Sequence, residues 1–77
     1  MPKYKVSILN EHFVSEHEQE HADDETAVKQ AVKGALDIAS EHVASGQPFF
    51  GAHLKLSRDD REVSQMVISV GAAPLKT

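Results

Sequence analysis

Apolar and polar residues alternate over Tyr4-Lys5-Val6-Ser7-Ile8, which puts Tyr4, Val6 and Ile8 on one side of an extended chain. That is the pattern of a strand buried on one face. Asn10-Glu11 supplies a turn, and His12-Phe13-Val14-Ser15 predicts a short second strand closing a hairpin. Glu16 to Glu20 contains no apolar residue, so the pattern leaves the far end of that strand open.

The period then changes from two to between three and four. Val28, Ala31, Val32, Ala35, Leu36, Ala39 and Val43 recur at helical spacing, which predicts a helix of about 20 residues, about 30 Å long. Asp24 is the expected N-cap, with Glu25 adding favourable charge at the positive end of the dipole. Gly46 suits the left-handed position that ends a helix, and Pro48 prevents continuation. Gly34 sits mid-helix and costs about 1 kcal/mol relative to Ala, so the helix depends on packing its Ala-rich face.

Alternation returns in Phe50, Ala52, Leu54 and Leu56, a third strand. A polar turn follows at Ser57-Arg58-Asp59-Asp60-Arg61, then a fourth strand over Val63 to Val70 with Met66, Ile68 and Val70 on one face. The order β-β-α-β-β predicts an α+β fold: a single antiparallel four-stranded sheet in spatial order 2-1-3-4, with one helix packed across one face. Residues 1–70 form this single domain, and residues 71–77 are expected to be a flexible C-terminal tail. One helix leaves the other sheet face uncovered. That open face is expected to carry Leu9, Phe49, Val63 and Val67 among Lys5, Ser7, His53, Lys55 and Gln65, and so to serve a protein partner or a homodimer.

Composition narrows the chemistry. At 77 residues the core is thin, and cysteine is absent, which removes disulfides, thiolate nucleophiles and all Cys-based zinc motifs. Glu11 to Glu25 holds seven carboxylates and no Lys or Arg, while the rest of the chain carries a net +3. The basic residues are scattered, which argues against nucleic acid as a partner. With no membrane-length apolar stretch and no apolar leader, the expected location is the cytoplasm, with no membrane contact.

One motif carries possible chemistry. His17-Glu18-Gln19-Glu20-His21 matches H-E-x-x-H, which in zinc proteases places two His one helical turn apart with the Glu as base. Here the segment lacks an apolar residue to seat a helix, the helix signals begin later, and a short chain leaves little room for a cleft. These features argue against a zinc hydrolase. Binding of zinc or nickel by His17 and His21 without catalysis is an alternative, because imidazole and carboxylate ligands suit those ions. No nucleophile elbow or phosphate-binding glycine loop is present.

The chain also resembles a family of small bacterial proteins catalogued as a domain of unknown function. The resemblance rests on Met1-Pro2-Lys3-Tyr4, where the family begins Met-Pro-Arg-Tyr, on the acidic Glu16–Glu20 stretch, and on Asp24 leading to Ala27 and Ala31. Asp59-Asp60-Arg61 is similar to the family's Asp-Glu-Asp-Gly-Arg turn but lacks the Gly. The resemblance implies the fold and supplies no catalytic, cofactor or binding residues. A similarity to small antitoxin-like domains fails on their missing Gly-Cys pair and Pro-flanked loop. The sequence therefore predicts a non-enzymatic interaction or regulatory module without a cofactor. Metal binding and an antitoxin-like or phage-type inhibitor are the alternatives.

Overall fold

The computed structural model describes residues 1–75; Lys76 and Thr77, part of the expected tail, lie outside the described residues. The elements are β1 (Lys3–Leu9), β2 (Val14–Glu20), α1 (Asp24–Ala44), β3 (Phe49–Arg58) and β4 (Arg61–Gly71). They form one antiparallel sheet in the order β2-β1-β3-β4, the α+β architecture expected from the alternation pattern.

Each alternating run buries the side it marked. Tyr4, Val6 and Ile8 of β1, Phe50, Ala52, Leu54 and Leu56 of β3, and Ile68 of β4 face α1. The helix answers with Ala27, Ala31, Ala35 and Ala39, a four-residue repeat that makes a narrow stripe of methyl groups. Small side chains bring the helix axis close to the sheet, so the larger strand residues fill the space between the layers. Val28, Val32, Ile38 and Val43 flank the stripe half-buried, whereas Leu36 points away.

The helix packs on β3 and β4 and much less on β1. β2 contributes no buried residue. Even so, the whole of Val14–Glu20 is strand, in register with β1 from Leu9↔Val14 to Lys3↔Glu20. An edge strand left uncovered by the helix needs no apolar face. Pairing alone holds it, helped by opposite charges across the ladder where Lys3 faces Glu20 and Lys5 faces Glu18. Lys5 Nζ also lies 3.9 Å from Glu16 Oε1, and the backbone N–H of His21 donates to Pro2 O at 3.2 Å beyond the strand end.

The helix starts one residue earlier than expected. Asp23, not Asp24, is the N-cap, accepting from the Thr26 N–H at 2.8 Å; Asp24 is released for other partners. At the other end Gly46 has φ 114°, and the Gly46→Val43 and Gln47→His42 backbone hydrogen bonds complete a Schellman motif. The β3–β4 hairpin turns at Asp59 and Asp60, both with positive φ, as a two-residue primed turn requires.

A bulge between Leu56 and Ser57 shifts the β3–β4 register: Leu56 pairs with Ser64 but Ser57 with Glu62. Val63 is the extra residue. Simple alternation put it on the open face; instead it is half-buried and packs against the core. β4 runs on through Gly71, and the Ala72 N–H donates to Pro48 O at 2.9 Å.

Candidate interaction surface

The face opposite α1 is divided into an apolar half and a charged half. Register places Val14 of β2 beside Leu9 of β1, Leu9 beside His53 of β3, and His53 beside Val67 of β4. Residues paired across a ladder share a face, so these four form one row across all four strands. The row is open to solvent: Val14 is 70% exposed, Leu9 50% and Val67 74%. Phe49, two registers further along β3, is 63% exposed. A methyl group on Gly51 would lie 2.8 Å from the Phe49 ring, so the absent side chain gives that ring its place over the strand. Phe49 thereby extends the row towards the end of the sheet where the Asn10–Phe13 turn lies.

That end is built by local hydrogen bonds. Asn10 Oδ1 accepts from the His12 N–H at 2.8 Å, and Asn10 Nδ2 donates to Gly51 O at 3.0 Å, tying the β1–β2 turn to β3. A cleft of about 470 Å³ lies here, lined by Asn10, His12, His42, Gln47, Phe49 and Gly51 among others. His42 stacks on Phe13 and tilts against Phe50, which accounts for its place in the fold.

The other half of the open face is ionic. Glu16, Glu18 and Glu20 line the β2 edge, followed inward by Ser7, Lys5 and Lys3 and then by Lys55 and Ser57. On β4, Gln65 accepts from His53 Nε2 at 2.7 Å and donates to Glu62. An amide oxygen only accepts, so this hydrogen bond makes the His53 Nε2 the donor.

His17 and His21 do not adopt the spacing of a zinc protease. In a strand, residues two apart share a face, so His17 lies with Gln19 on the helix side while Glu18 points to the open face. The Gln19 amide stands between the two imidazoles, with Nε2 2.9 Å from His17 Nε2 and Oε1 2.9 Å from His21 Nε2. The two imidazoles are thus bridged by the Gln19 amide. Among the described residues no three His, Asp or Glu side chains converge as a metal site.

The densest polar cluster was not legible as a site. Tyr4 is fully buried and its hydroxyl donates to Asp24 Oδ1 at 2.7 Å. Arg58 Nη1 reaches that hydroxyl at 3.4 Å and Asp24 Oδ1 at 3.5 Å, and Arg61 lies 4.0 Å from Asp24 Oδ2. The Tyr4 hydrogen bond holds the Asp24 carboxyl below its ordinary pKa against the opposing effect of burial, with Arg61 and Arg58 assisting. The same hydrogen bond, together with burial, pushes the Tyr4 phenol up. A protonated donor and an ionised acceptor, each already paired, fasten β1, α1 and the β3–β4 hairpin together.

Searches of family models, curated proteins and solved structures with this chain give no match. No helix among the described residues is long and apolar enough to cross a membrane.

Proposed function

We propose that the protein is a non-enzymatic interaction module whose open sheet face docks a protein partner. The observation that supports this reading is the Val14–Leu9–His53–Val67 row, continued by Phe49. It is a contiguous exposed apolar surface on the side of the sheet that no helix covers. Scattered apolar residues are ordinary on a small domain; a row spanning four strands is not.

The charge beside the row supports a partner with basic residues around its apolar contact. Glu16, Glu18 and Glu20 lie at its flank; Lys3 and Lys5 face them from β1, but the Glu11–Glu25 segment as a whole has seven carboxylates and no Lys or Arg. The matching surface is an apolar cluster bordered by Lys or Arg, with the carboxylates steering encounter and the row supplying most of the affinity.

Photocrosslinking in native cells tests the reading. A benzophenone side chain at Val14 is expected to give discrete protein adducts, lost on Leu9→Lys. The same probe at Leu36, exposed on the helix, is expected to give none. Adducts equally abundant from Leu36, or unaffected by Leu9→Lys, contradict a docking role for the open face.

A further inference from the structure

The two edges of the sheet are built differently. β2 carries alternating carboxylates, Glu16, Glu18 and Glu20, with His17 between them. Two such edges brought together place like charges against one another, the usual defence of an edge strand. β4 has no comparable defence. Its charged residues, Arg61 and Glu62, both sit at the turn end, and from Val63 to Gly71 there is neither a charge nor a proline. The one bulge lies at the turn end as well, so the Ser64–Gly71 stretch pairs regularly with β3 and leaves its outer hydrogen-bonding groups unpaired along the sheet edge.

We infer that the protein forms a two-fold dimer by antiparallel pairing of β4 with β4 of a second copy, giving one continuous eight-stranded sheet. A second copy is the occupant because the segment is self-complementary. With Val67 on the two-fold axis, Val67 faces Val67, Gln65 faces Ser69, Met66 faces Ile68 and Ser64 faces Val70. Every pair joins residues of the same face, and none joins two charges. In this register the apolar row runs unbroken from Val14 of one copy, through both Val67 side chains, to Val14 of the other. Seven paired residues on each strand, Ser64 to Val70, supply about six to eight backbone hydrogen bonds, within the range of an ordinary protein interface. Glu62 and Arg61 fall opposite the chain beyond Gly71 and stay at the margin. The dimer is independent of what binds the open face, and it presents that face twice on one side of one sheet.

The absence of cysteine gives a clean positional test. The 77-residue wild-type chain is expected to sediment at twice 8.4 kDa at tens of micromolar. Val67→Cys is expected to form an intermolecular disulfide under mild oxidation, because residues directly opposite in a ladder have suitable Cβ separations. Leu9→Cys, two strands away from the edge, is expected not to. Val67→Lys, at an exposed site that leaves the core intact, is expected to yield a folded monomer, with folding checked by circular dichroism. Leu9→Lys is expected to leave the dimer unchanged.

Sedimentation of the wild type at 8.4 kDa throughout that range overturns the inference. So does a dimer that crosslinks through Leu9→Cys as readily as through Val67→Cys; that result marks pairing through the open face. A dimer that persists in Val67→Lys also overturns it. Failure of the open-face reading has a different signature: partner adducts from Val14 that survive Leu9→Lys, whatever the state of the edge dimer.

Discussion

The Tyr4 hydroxyl donates to Asp24 Oδ1 across 2.7 Å, and through that contact the first strand is fastened to the first turn of the helix. Arg58 and Arg61, from the two sides of the β3–β4 hairpin, converge on the same carboxylate. Asp24 therefore connects three elements that are far apart in the chain.

The linkage has a defined pH signature. The Asp24 carboxyl is depressed in the folded protein, first by the Tyr4 hydrogen bond and then by Arg61 and Arg58. Its stabilisation is fully present above the unfolded value of about 3.9 and is lost as pH falls through the lower folded value. Asp24→Asn is expected to lower Tm at neutral pH and to make the acid limb of Tm against pH shallower. Asp23, also depressed by the hydrogen bond it accepts from Thr26, retains its own share of that limb. An unchanged acid limb in Asp24→Asn contradicts the fastening role.

Gly34 offers a stabilising substitution. A side chain carbon added there meets nothing within 4 Å, so Ala removes the helix-interior cost of glycine without a clash. Gly34→Ala is expected to raise stability by about 1 kcal/mol and Tm by about 4–8 °C in thermal unfolding. A fall in Tm shows that the helix backbone needs glycine at this point.

The Ala27–Ala31–Ala35–Ala39 stripe sets the spacing between helix and sheet. Ala35 is fully buried, and Ala35→Leu forces extra volume into a filled layer. The expected loss is about 1–3 kcal/mol, read as a lower denaturation midpoint. Full stability in Ala35→Leu means that the layers are less tightly packed than described.

Gly51 separates the surface from the core. A methyl group there collides with the Phe49 ring, an exposed group that is free to move aside. Gly51→Ala is expected to leave Tm within a few degrees of wild type while displacing Phe49, seen as shifted ring resonances in NMR spectra. Unmoved Phe49 signals contradict the packing of that ring over Gly51.

The fold was legible where burial imposes a period. Tyr4-Val6-Ile8, Phe50 through Leu56 and the helical repeat each mark a face pressed against the core, and the order of the strands follows from short connections. β2 beyond Ser15 was not legible, because a strand buried on neither face shows no alternation; its carboxylates are placed by pairing with Lys3 and Lys5. Simple alternation misplaces Val63 for a related reason: one bulge residue breaks the parity between the turn end of β4 and the regular stretch from Ser64 onward. The shift of the cap from Asp24 to Asp23 reflects a competition between two adjacent carboxylates. Only the three-dimensional position of Tyr4 and Arg58 decides it, since they claim Asp24. The exposed row contains no motif at all; alternation puts Leu9, His53 and Val67 on one face, and only register adds Val14 and sets them side by side.

The most direct measurement is the affinity of the partner captured through Val14 for three forms of the protein: wild type, Leu9→Lys and Leu36→Lys. The open-face account predicts at least a tenfold weaker Kd for Leu9→Lys, about 1.4 kcal/mol, with Leu36→Lys indistinguishable from wild type. Binding that is weakened by Leu36→Lys and indifferent to Leu9→Lys would contradict it and move the docking surface to the helix.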